Sequence, residues 1–497
     1  MGREENDGVR ICMGEKSIKN SVFSGLFWKF GERIVAQGVS FVVSIILARI
    51  LMPREYGLVS MVTVFITIAD VFVTSGFSTS LIQKKNADET DFSSIFWCTL
   101  IVSIILYGIL FVSAPLISSF YANDELTPVI RVFSIKILIS AYNSIQHAYV
   151  SRHMIFKKFF YSTLGGTIVS GVVGIIMAVH GFGVWALVAQ YLVNSTIDSI
   201  ILSFTVPWKP KFIFSMAAAK SLMSYGWKVL AADLIGTIYN NLRALLIGKY
   251  FSSEDLAFYN RGKQFPELIS NNIDTTISSV LFPAMSNSGD NVNRVKELTR
   301  RSMKTTAYVI FPIMIGMAAV AHPMVMVLLT EKWESCIIYL QLICIAKAIT
   351  TVSTANLQAM RAIGRSDIVL QLEFIKKPVG LLMIIFAIRY GVLAIAVSMP
   401  IYSLFAMIVN MWPNRKLLNY SIREQIIDLL PTTGITIVMC LAVKITSVFK
   451  GNDFVQLIIQ VLVGGSVYLL LSIVTKNDSF AYILSYVKSF LKRKEVR

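Results

Sequence analysis

Ile45-Ile46-Leu47-Ala48-Arg49-Ile50-Leu51-Met52-Pro53-Arg54-Glu55-Tyr56-Gly57 aligns, residue for residue, with Leu245-Leu246-Ile247-Gly248-Lys249-Tyr250-Phe251-Ser252-Ser253-Glu254-Asp255-Leu256-Ala257. Upstream, with one residue of slip, Trp28-Lys29 matches Trp227-Lys228. Downstream, Gly183-Val184-Trp185-Ala186-Leu187 answers Gly391-Val392-Leu393-Ala394-Ile395. Two matching halves in a mostly apolar chain predict a two-lobed transporter whose substrate site lies between the halves.

The chain has 497 residues, 55% of them hydrophobic, and a mean hydropathy of +0.65. Mostly apolar runs recur from end to end, each long enough to cross a hydrocarbon core of roughly 30 Å. Lipid offers the backbone no hydrogen-bond partner, so spans at this density must be helices. We read about fourteen, at 23–50, 57–82, 94–120, 128–150, 159–180, 183–206, 222–250, 255–284, 305–329, 336–360, 367–389, 391–412, 425–447 and 454–474. The fold class is therefore an all-α polytopic membrane protein. The first twenty-two residues are polar and the apolar run after them lacks a small-residue cleavage site, so span one is expected to direct insertion and stay attached.

Charge sets the orientation. On one side the connections hold Lys84-Lys85, Arg152 with Lys157-Lys158, Lys209, Lys211 and Lys220, then Arg294, Lys296, Arg300, Arg301 and Lys304, then Arg361 with Arg365 and Arg415-Lys416. Opposite loops such as Asn123-Asp124-Glu125 and Gly181-Phe182-Gly183 hold no cation. The positive-inside rule then places both termini in the cytoplasm, and topology accounts for much of the net charge of +17 without nucleic acid. An even number of crossings per half makes the repeat parallel. The expected organisation is a cytoplasmic segment 1–22, an N-lobe 23–206, a linker 207–221, a C-lobe 222–412, two further spans in 413–474 and a basic tail 475–497. Stretch 286–304 reads as a cytoplasmic surface helix, and the tail after Tyr482 as a helix on an anionic leaflet or a solvated segment. Loops are too short to house an enzyme domain.

Within the spans, cations remain that lipid cannot accept. A mid-membrane Lys or Arg costs roughly 2.5–3.5 kcal/mol on the insertion scale. Lys376, Lys377 and Lys444 lie near enough to span ends to snorkel. Elsewhere the charges follow helical periodicity. In span eight Asn260, Lys263, Gln264, Glu267, Asn271 and Asp274 form one stripe, and in span four Lys136, Ser140, Asn143 and His147 form another. Span one has Glu32 and Arg33, and span two has Asp70 near mid-depth. Cations outnumber carboxylates, which predicts an anionic substrate, phosphate suiting Arg and Lys best. We take Arg33, Lys136, Arg243, Arg261, Lys263, Lys347, Asn271 and Asn143 as substrate-binding candidates, and Glu32, Asp70, Glu267 and Asp274 as ion-coupling candidates. The alternative, that these charges only bridge helices (Glu32 to Lys136, for example), stays open. Pro266, Pro312, Pro378 and Pro400 could bend their spans. The five cysteines and four histidines show no metal spacing, no cofactor is expected, and no nucleophile motif or P-loop is present, so the reading is not an enzyme.

These residues carry a resemblance. Leu51-Met52-Pro53-Arg54-Glu55-Tyr56-Gly57, Arg152-His153-Met154-Ile155-Phe156-Lys157-Lys158, Gly181-Phe182-Gly183-Val184-Trp185-Ala186-Leu187, Tyr239-Asn240-Asn241-Leu242, Phe282-Pro283-Ala284, Glu331-Lys332-Trp333 and Arg361-Ala362-Ile363-Gly364-Arg365 resemble the polysaccharide transporter family. Wzx-like lipopolysaccharide and exopolysaccharide flippases of the MATE-like MOP superfamily are the nearest in kind. The resemblance implies a flippase that moves undecaprenyl-pyrophosphate-linked oligosaccharide between leaflets by alternating access. It would be driven by protons or sodium and work beside polymerase and export machinery. Rival readings are a lipid II-type precursor flippase and a MATE-type drug or cation antiporter, the latter wanting carboxylates to dominate. Arg49 and Lys249, inside the repeat, read as interfacial anchors.

Overall fold

A computed structural model describes residues 35–84, 87–288, 291–447 and 451–485. Every regular element among them is a helix, and each predicted span contains one. Ten helices among the described residues are long and apolar enough to cross a membrane. The remaining predicted spans correspond to Val35–Ile50, the described part of span one, and to Met216–Tyr250, Ser253–Ser286 and Ser366–Ile388. Span eight falls short because its sequence carries a polar stripe, not because it is short. Exposed apolar residues such as Val112, Leu116, Phe204, Leu382 and Val474 face outward, as lipid contact requires.

The chain forms two compact units, Met1–Leu256 and Ala257–Arg497. The sequence suggests a division at the 207–221 linker, but span seven packs with the first unit. The reason is a pair of glycines. A Cβ on Gly76 would lie 2.5 Å from the Gly226 carbonyl oxygen, and one on Gly226 would lie 2.7 Å from that of Gly76. The helices Gly76–Gln83 and Met216–Tyr250 thus touch backbone to backbone.

The doubled segment has a local meaning here. Span two starts at Pro53, and Glu55 turns back to accept from Met52 N at 2.7 Å. In the second copy, Asp255 accepts from Ser252 N at 3.2 Å, while Asp255 N donates to Ser252 Oγ at 3.0 Å. Both copies open a helix with an acidic residue at the third position, which satisfies an orphan N–H and meets the positive end of the dipole. The two starts also touch: a Cβ on Gly57 would stand 1.8 Å from the Ser253 carbonyl oxygen. Lys249 at the end of span seven donates to the Phe120 carbonyl and lies 4.5 Å over that ring, while Arg49 is exposed.

Elsewhere in the first unit, Asp88 and Asp91 cap Glu89–Tyr121 reciprocally, and Lys84 pairs with Asp91 at 2.7 Å. The linker is held rather than loose. Trp97 Nε1 donates to Lys211 O at 3.0 Å, and Ser215 N donates to Ser94 Oγ at 2.9 Å.

In the second unit, the basic stretch after Asn291 is not a separate surface helix. Asn291 caps Val292–Ala319, which runs without a break into span nine. Its cations find partners elsewhere in the same unit. Arg300 pairs with Asp428 at 2.7 Å, Lys304 with Asp478 at 2.8 Å, and Arg301 stacks over Tyr482 at 4.1 Å. Phe480 and Ile483 pack against Tyr308, Ile435, Met439 and Tyr468, so the start of the tail belongs to the bundle. The Lys304 ammonium holds the Asp478 carboxyl below its ordinary range. The tail cations from Lys488 onward lie outside the described residues. Pro266, Pro312, Pro378 and Pro400 all sit within unbroken helices.

Candidate functional site

Arg33 and Glu32 lie outside the described residues, so the site is built from the others. In the first unit, Lys136 Nζ is 3.2 Å from Asp70 Oδ2, with side chains 26% and 20% exposed. Glu32, which the sequence offered as a partner of Lys136, lies outside the described residues; among those described, Asp70 pairs with Lys136 because spans two and four pack together. Asn143 Nδ2 donates to Asp198 Oδ2 at 2.6 Å, and His147 Nε2 lies 3.1 Å from the same oxygen. The His147 ring stacks on Phe159 with centroids 4.6 Å apart. Asn143 and His147 therefore use their spacing of four to grip a carboxylate on span six. Arg243 is partly buried and has no ion-pair partner among the described residues.

In the second unit, span eight is drawn onto span ten at Gly262. A Cβ there would meet Leu340 N at 2.7 Å and Cys336 O at 2.9 Å. Phe258 meets Trp333 and Tyr259 meets Tyr339 edge to face on either side. That approach carries two lysines to one carboxylate oxygen. Lys263 Nζ is 3.5 Å and Lys347 Nζ 3.2 Å from Glu267 Oε1. Side-chain exposures of 29%, 19% and 30% for Lys263, Lys347 and Glu267 leave the group open on one side.

Two turns further along span eight, Thr354 Oγ1 donates to Asp274 Oδ1 at 2.9 Å, and Thr351 Oγ1 lies 3.4 Å from Asp274 Oδ2. Beyond that, Gln358 Nε2 donates to Ser278 Oγ at 2.8 Å. Lys347, Thr351, Thr354 and Gln358 thus form a second stripe, on span ten, facing that of span eight. Their spacing was visible in the sequence as a helical face, but hydroxyls in an apolar run gave it little contrast. Asn271 is exposed on the first stripe.

Two sequence expectations are corrected. Arg261 does not face open space: it is 4% exposed, with its guanidinium 4.7 Å over the Trp333 ring and Nη1 donating to Gln264 Oε1 at 2.6 Å. Its position two residues before Lys263 turns it to the opposite face of the helix. Lys376 does not snorkel. It is 5% exposed and donates to Glu373 Oε1 at 2.6 Å and Asn410 Oδ1 at 3.0 Å, while Asn410 Nδ2 donates to Ser353 Oγ at 2.8 Å. Lys444, by contrast, is exposed near a helix end. Among the described residues no group of His, Cys, Asp and Glu could hold a metal.

Apolar helices carrying buried-face charge define a multi-pass membrane protein of the helical transporter type. The polysaccharide biosynthesis protein family matches residues 46–338, and the chain belongs to that family. The succinoglycan biosynthesis transport protein ExoT of Rhizobium meliloti (strain 1021) is 22% identical, covering 69% of this chain and 69% of its own length. The lipopolysaccharide biosynthesis protein WzxC of Escherichia coli (strain K12) is 24% identical, covering 71% of this chain and 72% of its own length. Among solved structures, the lipid II flippase MurJ in an inward closed conformation superposes with a TM-score of 0.75 at 16% identity, over 92% of this chain and 99% of MurJ. An inward-facing multidrug resistance MATE transporter of the MOP superfamily gives 0.60 at 16% identity, over 78% of this chain and 95% of its own. The fold is therefore the one shared with MurJ and this MATE transporter.

Proposed function

We propose that this chain is a lipid-linked oligosaccharide flippase. It moves undecaprenyl-pyrophosphate-linked repeat units from the inner to the outer leaflet of the bacterial inner membrane by alternating access, with both termini cytoplasmic. It makes and breaks no covalent bond in its substrate. The relatives' part in polysaccharide biosynthesis supports the sugar. The observation that supports the anion is the meeting of Lys263 and Lys347 on the single oxygen of Glu267. Each ammonium has three donors and only one is engaged there, so the pair keeps donors and charge for phosphate oxygens. Arg33 and Arg243 are proposed as further cations for the substrate, and Asn271 as a polar contact. Lys136, Arg261 and Asn143 are already engaged, and the proposal does not rest on them. Asp70, Glu267 and Asp274 are the carboxylates proposed to answer a coupling proton or sodium ion.

A deletion strain tests the function. Loss of surface polysaccharide, with lipid-linked repeat units accumulating on the cytoplasmic side, is the expected result. Unchanged surface polysaccharide would overturn it.

A further inference from the structure

Glu267 has a part to play beyond pairing, and the inference rests on the anion-binding reading of Lys263 and Lys347. Both lysines approach the same oxygen, Oε1, at 3.5 and 3.2 Å, one from its own helix and one from span ten. Other charged groups nearby are committed elsewhere. Asp274 is taken up by Thr354 and Thr351, and Arg261 by Trp333 and Gln264 on another face. The carboxylate therefore occupies the position that a phosphate oxygen would take between two ammonium groups. A phosphate arriving there meets its own attraction to two cations and a like charge already seated between them. In a partly dehydrated site that repulsion is strong, since Coulomb energies rise as water is excluded.

We propose that Glu267 is an internal competitor of the substrate's phosphate for Lys263 and Lys347. It is displaced from the lysines when the pyrophosphate binds, and it returns to them to expel the anion when the cycle ends. The device would weaken binding deliberately. A polyanionic headgroup held by two bare lysines in low dielectric would leave slowly, and a carrier must release what it takes up. With Glu267 in place the empty site also avoids two unpaired buried cations, so the carboxylate keeps the resting helices together.

The test uses the purified full-length chain in nanodiscs, with farnesyl pyrophosphate as the isoprenyl pyrophosphate probe and inorganic pyrophosphate as a headgroup-only probe. Calorimetry reads affinity, and complementation of the deletion strain reads turnover. Glu267→Gln should bind farnesyl pyrophosphate about tenfold more tightly, a change of about 1.4 kcal/mol, while restoring surface polysaccharide more slowly than wild type. Glu267→Asp, whose shorter arm reaches the lysines less well, should fall between the two and serves if the Gln variant does not accumulate. Lys347→Met and Lys263→Met should each bind at least tenfold more weakly. If both lysine variants bind as wild type does, the anion site itself is wrong. If the lysine variants weaken binding but Glu267→Gln binds no tighter than wild type, the site stands and the competition is overturned.

Discussion

In the first compact unit two groups of charge on the polar faces are closed sets. Lys136 answers Asp70, and Asp198 is gripped by Asn143 and His147. In the second unit the comparable face is left open, with Lys263 and Lys347 sharing one oxygen of Glu267. Both regions are stripes of polar residues at helical spacing on otherwise apolar helices. What separates them is stoichiometry at the point of contact: a single lysine on Asp70 in the first, two lysines on Glu267 in the second. A closed pair binds helices together; two cations on one anion can do that and still hold a further negative group. On this comparison the closed sets suit bundle-holding, and the shared Glu267 oxygen suits the ligand-holding proposed above.

The largest expected effect breaks the open side. Joint Lys263→Met and Lys347→Met should abolish polysaccharide export in the deletion strain while leaving the protein in the membrane fraction. Full export by this variant would remove the distinction between the two regions. Next is the close approach that builds the site. Gly262→Leu must force spans eight and ten apart, at a cost of about 1–3 kcal/mol for overpacking, visible as a lower melting temperature in detergent together with lost export. A variant as stable and as active as wild type would show that the approach at Gly262 does not hold the lysines together.

On the closed side, Lys136→Met should destabilise by about 1–3 kcal/mol, because it strands a half-buried Asp70. The double variant Lys136→Met with Asp70→Asn should recover most of that stability and retain export. The equivalent neutral double, Lys347→Met with Glu267→Gln, should recover stability without export. Equal rescue of export in both doubles would erase the comparison.

The smallest effect lies outside the polar stripes of the spans, at Lys304 and Asp478. Asp478 is 82% exposed on its side chain, so Asp478→Asn should cost only about 0–1 kcal/mol. Since Lys304 lowers the folded-state pKa of Asp478, this contribution is fully present above about pH 3.9 and lost as pH falls through the lower folded value. A melting-temperature difference between wild type and Asp478→Asn that grew on acidification would contradict the pairing.

Much of this was legible from residue order. The doubled segment announced two copies, and the structure shows what it encodes locally: a helix start capped by Glu55 in one copy and by Asp255 in the other. Hydropathy located the helices, and periodicity located the stripe through Lys263, Glu267, Asn271 and Asp274. Arg261 was misplaced because a one-dimensional list of intramembrane cations ignores helical phase; two residues of offset sent it under Trp333. Lys376 was misplaced because, besides Glu373 on its own helix, its partner Asn410 sits on another helix, and the polarity of a neighbouring helix is not written in the local sequence. The basic stretch at 294–304 was read as a surface helix for the same reason: Asp428 and Asp478, which receive its cations, are more than a hundred residues away.

By itself the sequence determined that the chain is helical, spans a membrane many times, is built twice over and carries positive charge where lipid cannot accept it. Those properties follow from transfer energies and from the 3.6-residue period, which act residue by residue. Only the tertiary structure decided which charges cancel. Whether a lysine is a strut or a ligand depends on what stands within about 4 Å of its ammonium group, and that distance is set by helix approaches such as the one at Gly262.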